Sequence, residues 1–212
     1  MRSPLAERER DRLIEAMLPD VPFDGWSHRA LRAAAARLGI PAGEAVALFR
    51  GGSADLVAAF SRWADRRMLA RLEDAALSEL RLSERIELAL RLRIETLAPS
   101  REAVRRSLSV LALPYNAPLG MLLLYETVDG IWYAVGDAST DFSFYTKRAT
   151  LAGILAAATL YWLEDRSPES ADTLAFIKRR LADLHRLTNL RGRFRSAADR
   201  MPNPARLLHP PR

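Results

Sequence analysis

Gly136-Asp-Ala-Ser-Thr-Asp-Phe-Ser-Phe-Tyr-Thr-Lys-Arg-Ala-Thr-Leu-Ala-Gly153 changes character halfway along. Its first part is polar and turn-like. Ser139, Thr140 or Asp141 can cap a helix by accepting from its free amide N–H groups, and Asp137 and Asp141 stand where a helix N-terminus favours negative charge. Phe142, Phe144 and Tyr145 follow closely, then Lys147 and Arg148. From Ala149 to Leu163 hardly a residue is polar, and a helix that is apolar all round belongs inside a protein. The stretch predicts the entrance to a buried central helix, with aromatic and basic residues at its mouth.

Working outward, the N-terminal half is a series of helices with clear punctuation. Leu13, Ile14, Met17 and Leu18 recur at helical spacing before Pro19. Ser27 is placed to cap a helix over 27–38, and Gly39 to end it. Ala42–Phe49 is a short helix, Gly51-Gly52 breaks it, and Ser53 is expected to cap a long helix over Ala54–Leu80. Helices over Ser83–Leu97 and Arg101–Ala112 follow. Leu113–Pro118 reads as a rigid loop, because its two prolines fix φ and remove two donors. Leu119–Val135 is a further apolar helix. Ser167 and Pro168 mark the start of one over Glu169–Leu184, with Ser167 at the N-cap and Pro168 at the first helical position. No run alternates with period two between turn signals, so the expected class is all-α. The expected units are a helix-turn-helix head over 1–52, a larger helical domain over 53–184 and a basic tail over 185–212.

Composition narrows the function classes. The chain has 212 residues and no cysteine, which excludes disulfides, thiolate nucleophiles and cysteine-ligated metals. His28, His185 and His209 are scattered and lack ligand spacing, so no metal site is expected. Gly51-Gly52-Ser53 has no Gly-Lys-Ser/Thr behind it and is not a phosphate loop. The longest apolar runs fall short of the roughly 20 residues that a membrane span needs. With no signal or transit pattern at the start, the expectation is a cytoplasmic protein. The net charge of +6 is concentrated at one end: Lys178–Arg212 holds ten Lys/Arg against Asp183 and Asp199, a net +8, which leaves about −2 for the rest. Such an end suits an anionic membrane surface or an acidic partner; a solvated basic tail is the plain alternative.

The order helix, turn, short helix, long helix is similar to the head of TetR-like regulators. The short helix argues against nucleic acid, however. Ala42–Phe49 carries Gly43, Glu44, Val46 and Leu48 and no Lys or Arg before Arg50, whereas a helix in the major groove needs donors for bases and phosphates.

A longer resemblance covers about Leu108–Leu181. Leu113-Pro114-x-Asn116-x-Pro118, Val128-Asp129-x-x-Trp132, Gly136-Asp137-x-Ser139-Thr140-Asp141-Phe142-x-x-Tyr145-Thr146-x-Arg148-Ala149-x-Leu151-Ala152 and Asp165-x-Ser167-Pro168 with Asp172-Thr173-x-x-Phe176 closely resemble the coenzyme Q (ubiquinone) biosynthesis lipid-binding proteins. This is the accessory family named for the ninth ubiquinone gene, and the chain looks like a prokaryotic member.

The resemblance implies a TetR-like, dimeric helical fold that keeps a ligand pocket and has given up DNA. It implies a protein that is no enzyme and has no cofactor. Such a protein binds an isoprenoid lipid or phospholipid and presents quinone precursors to the di-iron demethoxyubiquinone hydroxylase, peripherally on the inner membrane. The alternative is a TetR-type transcriptional regulator with a hydrophobic effector. Candidate lipid-lining residues are Met121, Leu122, Tyr125, Trp132, Leu151, Ile154, Leu155 and Ala158, with the alanines at 152, 156, 157 and 158 leaving room for a tail; ordinary core packing would use the same residue types. The resemblance places the partner surface at Asn116, Asp137, Phe142, Phe144, Tyr145, Lys147 and Arg148. Phe144 stands where the family has Trp, which keeps an apolar anchor without the indole N–H. Lys147 and Arg148 suit a lipid phosphate or an acidic partner, or each pairs with a neighbouring carboxylate. Family members carry a C-terminal amphipathic helix for membrane docking. Here Leu187, Leu190, Arg191, Arg193, Phe194 and Arg195 resemble an interfacial basic helix, although Gly192, Pro202 and Pro204 interrupt the pattern.

Overall fold

The computed structural model describes residues 4–136 and 142–183, with side chains placed over 6–136 and 145–183. Among them every regular element is helical, as the all-α expectation requires. The elements are α1 (Pro4–Met17), α2 (Val21–Asp24), α3 (His28–Arg37), α4 (Ala42–Leu48), α5 (Gly52–Glu73), α6 (Leu82–Leu97), α7 (Arg101–Leu111), α8 (Ala117–Ala134) and α9 (Phe142–Glu164). A tenth, α10, runs over 171–183.

The head forms from local signals. The Ser27 hydroxyl accepts from the Ala30 amide at 3.3 Å and caps α3. Gly39 follows at φ +69°, a left-handed conformation that favours glycine. Gly52 turns the chain into α5 at φ +61°. The expected cap at Ser53 is corrected: the N-cap position is Gly51, and Asp55 in the first turn does the polar work. Arg10 of α1 is almost fully buried. It donates to the Asp55 carboxylate at 2.7 Å and to the Leu48 carbonyl, and its guanidinium lies 4.2 Å from the Phe49 ring centroid. One side chain therefore ties α1 to the end of α4 and the start of α5.

The central helix is α5, not α9. Leu56, Val57, Ala58, Ala59 and Phe60 are all buried in succession, because α1, α6, α7 and α8 pack around it. The expectation of a buried helix from Ala149 onward is corrected. Leu151, Ile154, Leu155, Ala158, Trp162 and Leu163 of α9 face the core, but Leu160 and Tyr161 face solvent at 60% and 42% exposure. An apolar sequence sets what a helix prefers, whereas its neighbours set which of its faces are covered. The expected long helix to Leu80 also ends early, at Glu73. Nothing local signals that stop. The turn beyond it is held by Arg85, which donates to the Leu80 carbonyl at 2.9 Å and to the Val135 carbonyl at 3.1 Å.

The corner between α9 and α10 rests on Asp165. Its carboxylate accepts from the Ser167 amide at 2.8 Å, the Ser167 hydroxyl at 2.6 Å, the Thr173 amide at 2.9 Å and the Thr173 hydroxyl. Glu169 and Ser170 sit at φ +51° and +58°, uncommon for residues with a Cβ. The expected helix start at Glu169 is therefore corrected to residue 171, after a 3-10 turn over Pro168–Ser170. Ser167 is the N-cap of that turn and makes no side-chain cap bond within it; its hydroxyl instead accepts from the Asp172 amide of α10 at 3.0 Å.

Burial alone would raise the Asp165 carboxyl, but its Ser167 and Thr173 donors hold it down at about 2. Asp165→Ala is expected to cost about 2–4 kcal/mol, because it leaves buried donors without a partner. The folded value lies below the ordinary 3.8, so the contribution is full above 3.8 and is lost as pH falls through about 2. Urea midpoints across that window should fall for the native chain and change less for Asp165→Asn.

Candidate functional site

Helices α5 to α9 leave a cavity of about 400 Å³ between them. Val57, Phe60 and Ser61 of α5 and Arg93 and Leu97 of α6 form its inner wall. Val104, Ser107, Leu108 and Leu111 of α7 form another side, with Ala117, Gly120, Met121, Leu123, Leu124 and Thr127 of α8 opposite Leu155, Ala156, Thr159 and Leu160 of α9. The rim is open where Met121 and Leu160 are 67% and 60% exposed. A volume of this order suits a small organic ligand or a segment of a longer one.

Apolar side chains dominate the wall, and most of its hydroxyls are turned away. Ser107 donates to the Ala103 carbonyl at 2.9 Å and Thr159 to Leu155 at 2.8 Å, while the one proton of Thr127 Oγ1 is shared between the Leu123 carbonyl at 3.0 Å and an oxygen of Asp65. Each carbonyl bond goes back one turn of its own helix, a common habit of Ser and Thr in helices, and presents carbon to the space. Small residues create the void. A Cβ on Gly120 would already lie 3.6 Å from Leu111.

The polar exception is the buried pair between Arg93 and Asp65. Arg93 donates to one oxygen of Asp65, and Thr127 donates to the other at 3.1 Å. Burial lifts the Asp65 carboxyl above its usual range, and Arg93 and Thr127 oppose that shift. The pair joins α5, α6 and α8 behind the cavity wall. Phe60 extends the inner wall toward the head: its ring lies 4.9 Å from Trp26 and 5.7 Å from Trp63. Trp26 in turn donates to the Ala103 carbonyl at 3.1 Å.

Of the candidate lining residues, Met121 and Leu155 are on the cavity wall. Leu122 and Tyr125 face solvent from α8, and Leu151, Ile154 and Ala158 are in the core beneath α9. Trp132 is also buried. Its Nε1 has no acceptor among the described residues, and Lys147 Nζ stands 5.6 Å from its ring centroid. Of the four alanines, Ala156 lines the space. The walls from α5, α6 and α7 escaped the sequence reading. A Ser or Thr recurring among Val and Leu on one helix face, as in Val104, Ser107, Leu108 and Leu111, was the signal that could have found them.

The partner candidates separate by burial. Tyr145 is 70% exposed in the first turn of α9. Asn116 is buried and donates to the Val110 carbonyl at 2.9 Å, and Arg148 is buried and pairs with Asp129 at 2.7 Å. Their expected surface roles are corrected: both side chains hold helix ends in place, and Arg148 takes the carboxylate alternative. Phe142 and Phe144 are in α9, with side chains outside the described set. Asp137, the capping candidates Ser139, Thr140 and Asp141, and the tail residues Leu187, Leu190, Arg191, Arg193, Phe194 and Arg195 lie outside the described residues.

This arrangement of helices has counterparts. Residues 117–188 match the family model described as COQ9. Residues 117–188 belong to the COQ9 family. The "Ubiquinone biosynthesis protein COQ9, mitochondrial" of Bos taurus is 33% identical over 184 residues, covering 84% of this chain and 57% of the relative. That of Homo sapiens is 34% identical over 184 residues, covering 84% and 58%. The chain thus spans less than two thirds of the length of these curated relatives. The fold is TetR-like: a crystal structure of a TetR transcriptional regulator from Nitrosomonas europaea superposes with a TM-score of 0.67 at 26% identity, covering 82% of this chain and 97% of that one. The COQ9 segment supplies the α8 and α9 walls of the cavity, and the helices before it supply the rest.

Asp65→Ala, which strands the Arg93 charge, is expected to cost about 3–5 kcal/mol. Asp65→Leu combined with Arg93→Met should recover most of that loss, since it removes both buried charges at similar volume. Urea unfolding of Asp65→Leu, Arg93→Met and the double variant gives the coupling directly.

Proposed function

We propose that this chain is a non-catalytic lipid-binding protein of ubiquinone biosynthesis. It takes isoprenoid quinone precursors into the cavity between α5 and α9 and presents them to the di-iron demethoxyubiquinone hydroxylase. The observation that carries the reading is the cavity, whose wall is apolar and opens between Met121 and Leu160. An isoprenoid tail buried there gains about 25 cal/mol for each Å² of apolar surface removed from water. A quinone precursor lies within the bilayer, so an apolar pocket replaces the surroundings it leaves when its head is offered to a soluble enzyme. The similarity to proteins named for ubiquinone biosynthesis supplies the pathway. The charged groups nearest the cavity are committed to one another, which favours binding over catalysis. Tyr145, exposed beside the start of α9, is the apolar anchor for the partner, and the basic tail holds the protein to an anionic inner-membrane surface.

The regulator alternative gains nothing from the head. The outward face of α4 consists of Ala42, Gly43, Glu44 and Ala47. Two arginines of α3 are already paired, Arg29 with Asp24 at 3.3 Å and Arg37 with Asp20 at 2.5 Å. An open depression between α1 and α4 is bordered by Glu9 and Glu44. The outward face of α4 thus offers phosphates no basic side chain, and the exposed arginines at its flanks are Arg32 of α3 and Arg50 just beyond α4.

Protein purified from cells should carry an isoprenoid or phospholipid that organic extraction and mass spectrometry detect; a clean extract with nothing bound would count against the lipid reading. Tyr145→Ala should weaken binding to the hydroxylase about tenfold, on the order of one well-placed aromatic anchor, with its melting curve unchanged. An affinity equal to that of the native chain in a calorimetric titration removes Tyr145 from the interface.

A further inference from the structure

The lipid-lined reading of the cavity leaves one question of chemistry, which part of a ligand meets the Arg93 side of the wall. Four hydroxyls line the space, those of Ser61, Ser107, Thr127 and Thr159. Three of them donate within their own helices. The fourth differs. Ser61 Oγ accepts a long bond from Arg93 Nη2 at 3.4 Å and donates to no acceptor among the described residues. Arg93 is in the same position at one nitrogen: Nη1 and Nη2 are used on Asp65 and Ser61, while Nε donates to no acceptor among the described residues. Two donors without acceptors thus meet at one place on an otherwise apolar wall.

Acceptors are scarce there. One oxygen of Asp65 is taken by Arg93 and the other by Thr127. What the wall has to give is a hydrogen bond, and what it lacks is a neutral oxygen to receive it. An apolar body alone gives these donors no acceptor, whereas a ligand oxygen placed beside them receives their hydrogen bonds. Charge sets a second condition. Arg93 is already neutralised by Asp65, so the pair has no net charge to offer an anion. A carboxylate seated there would be a third charge in the group and would face the Asp65 oxygens, and burying a charge without a partner of its own is strongly unfavourable.

We propose that Ser61 and Arg93 form a polar seat on the inner wall for the oxygen of an uncharged amphiphile, a carbonyl or ether oxygen on an apolar body, and that the seat discriminates against carboxylates. This inference rests on the cavity being a lipid site and adds the functional group that it reads. The apolar remainder of the ligand lies along α7, α8 and α9 toward the rim at Met121 and Leu160.

The test uses the full chain and three probes of similar shape: 2-methyl-1,4-naphthoquinone, 2-methylnaphthalene and 2-naphthoate. The chain has no cysteine, so the quinone has no thiol to alkylate and its binding is reversible. Calorimetric titration of the native chain should rank the quinone at least tenfold tighter than the naphthoate. Ser61→Ala should weaken the quinone about five- to tenfold and leave the hydrocarbon within twofold, with the melting temperature checked for both proteins. Equal effects of Ser61→Ala on quinone and hydrocarbon, or naphthoate binding as tightly as the quinone, would overturn the polar seat while leaving an apolar lipid cavity. Failure of both the quinone and the hydrocarbon to bind would overturn the seat together with the cavity reading on which it depends.

Discussion

The ring of charge pairs around α5 is the constraint on which the other helices depend. Leu56 to Phe60 of α5 are buried in succession, so the position of this turn is dictated by packing. The polar residues of α5 reach outward to different neighbours. Asp55 pairs with Arg10 of α1, Arg66 with Asp11 and Arg67 with Glu15 of the same helix, Arg62 with Glu126 of α8, Asp65 with Arg93 of α6, and Arg71 with Glu95 of α6. Exposed pairs of this kind contribute little stability one at a time. Together they give α1, α6 and α8 defined polar attachments to the central helix, beside the apolar contacts.

The cavity follows from that arrangement. Helices held at set positions by α5 cannot all collapse onto one another where their facing residues are small. Gly120, Ala117 and Ala156 occur where larger side chains would close the space. In a well-packed interior such a gap forfeits dispersion contacts. It persists because Asp65 behind the wall ties together Arg93 and Thr127 on it, and because the Trp26–Phe60–Trp63 cluster braces the head side. The same cluster links the helix-turn-helix head to the cavity wall, since Phe60 belongs to both.

Much of this was legible in the chain. The cap at Ser27, the glycines at 39 and 52, and the Ser167-Pro168 corner are local events, in which a side chain bonds to a backbone amide a few residues away or a glycine adopts a left-handed φ. The motif from Leu113 to Phe176 marked the COQ9 segment without any structure. The cavity was half legible. Met121 and Leu155 were found, but Val57, Phe60, Ser61 and Arg93 come from helices whose apolar faces read as plain core.

By itself, the sequence determined the helical class, the order of the longer helices, the COQ9 match of residues 117–188 and the lack of Lys and Arg in α4. These depend on spacing, caps and charge, which act within a few residues. Only the tertiary structure decided which helix is central, where α5 stops, which apolar residues surround a void, and that Arg148 and Asn116 turn inward. Most of these depend on partners in other helices, and even Asn116, which bonds Val110 six residues back, is buried by the packing of whole elements. Periodicity says that a face is apolar; it cannot say whether another helix, a cavity or water lies against it.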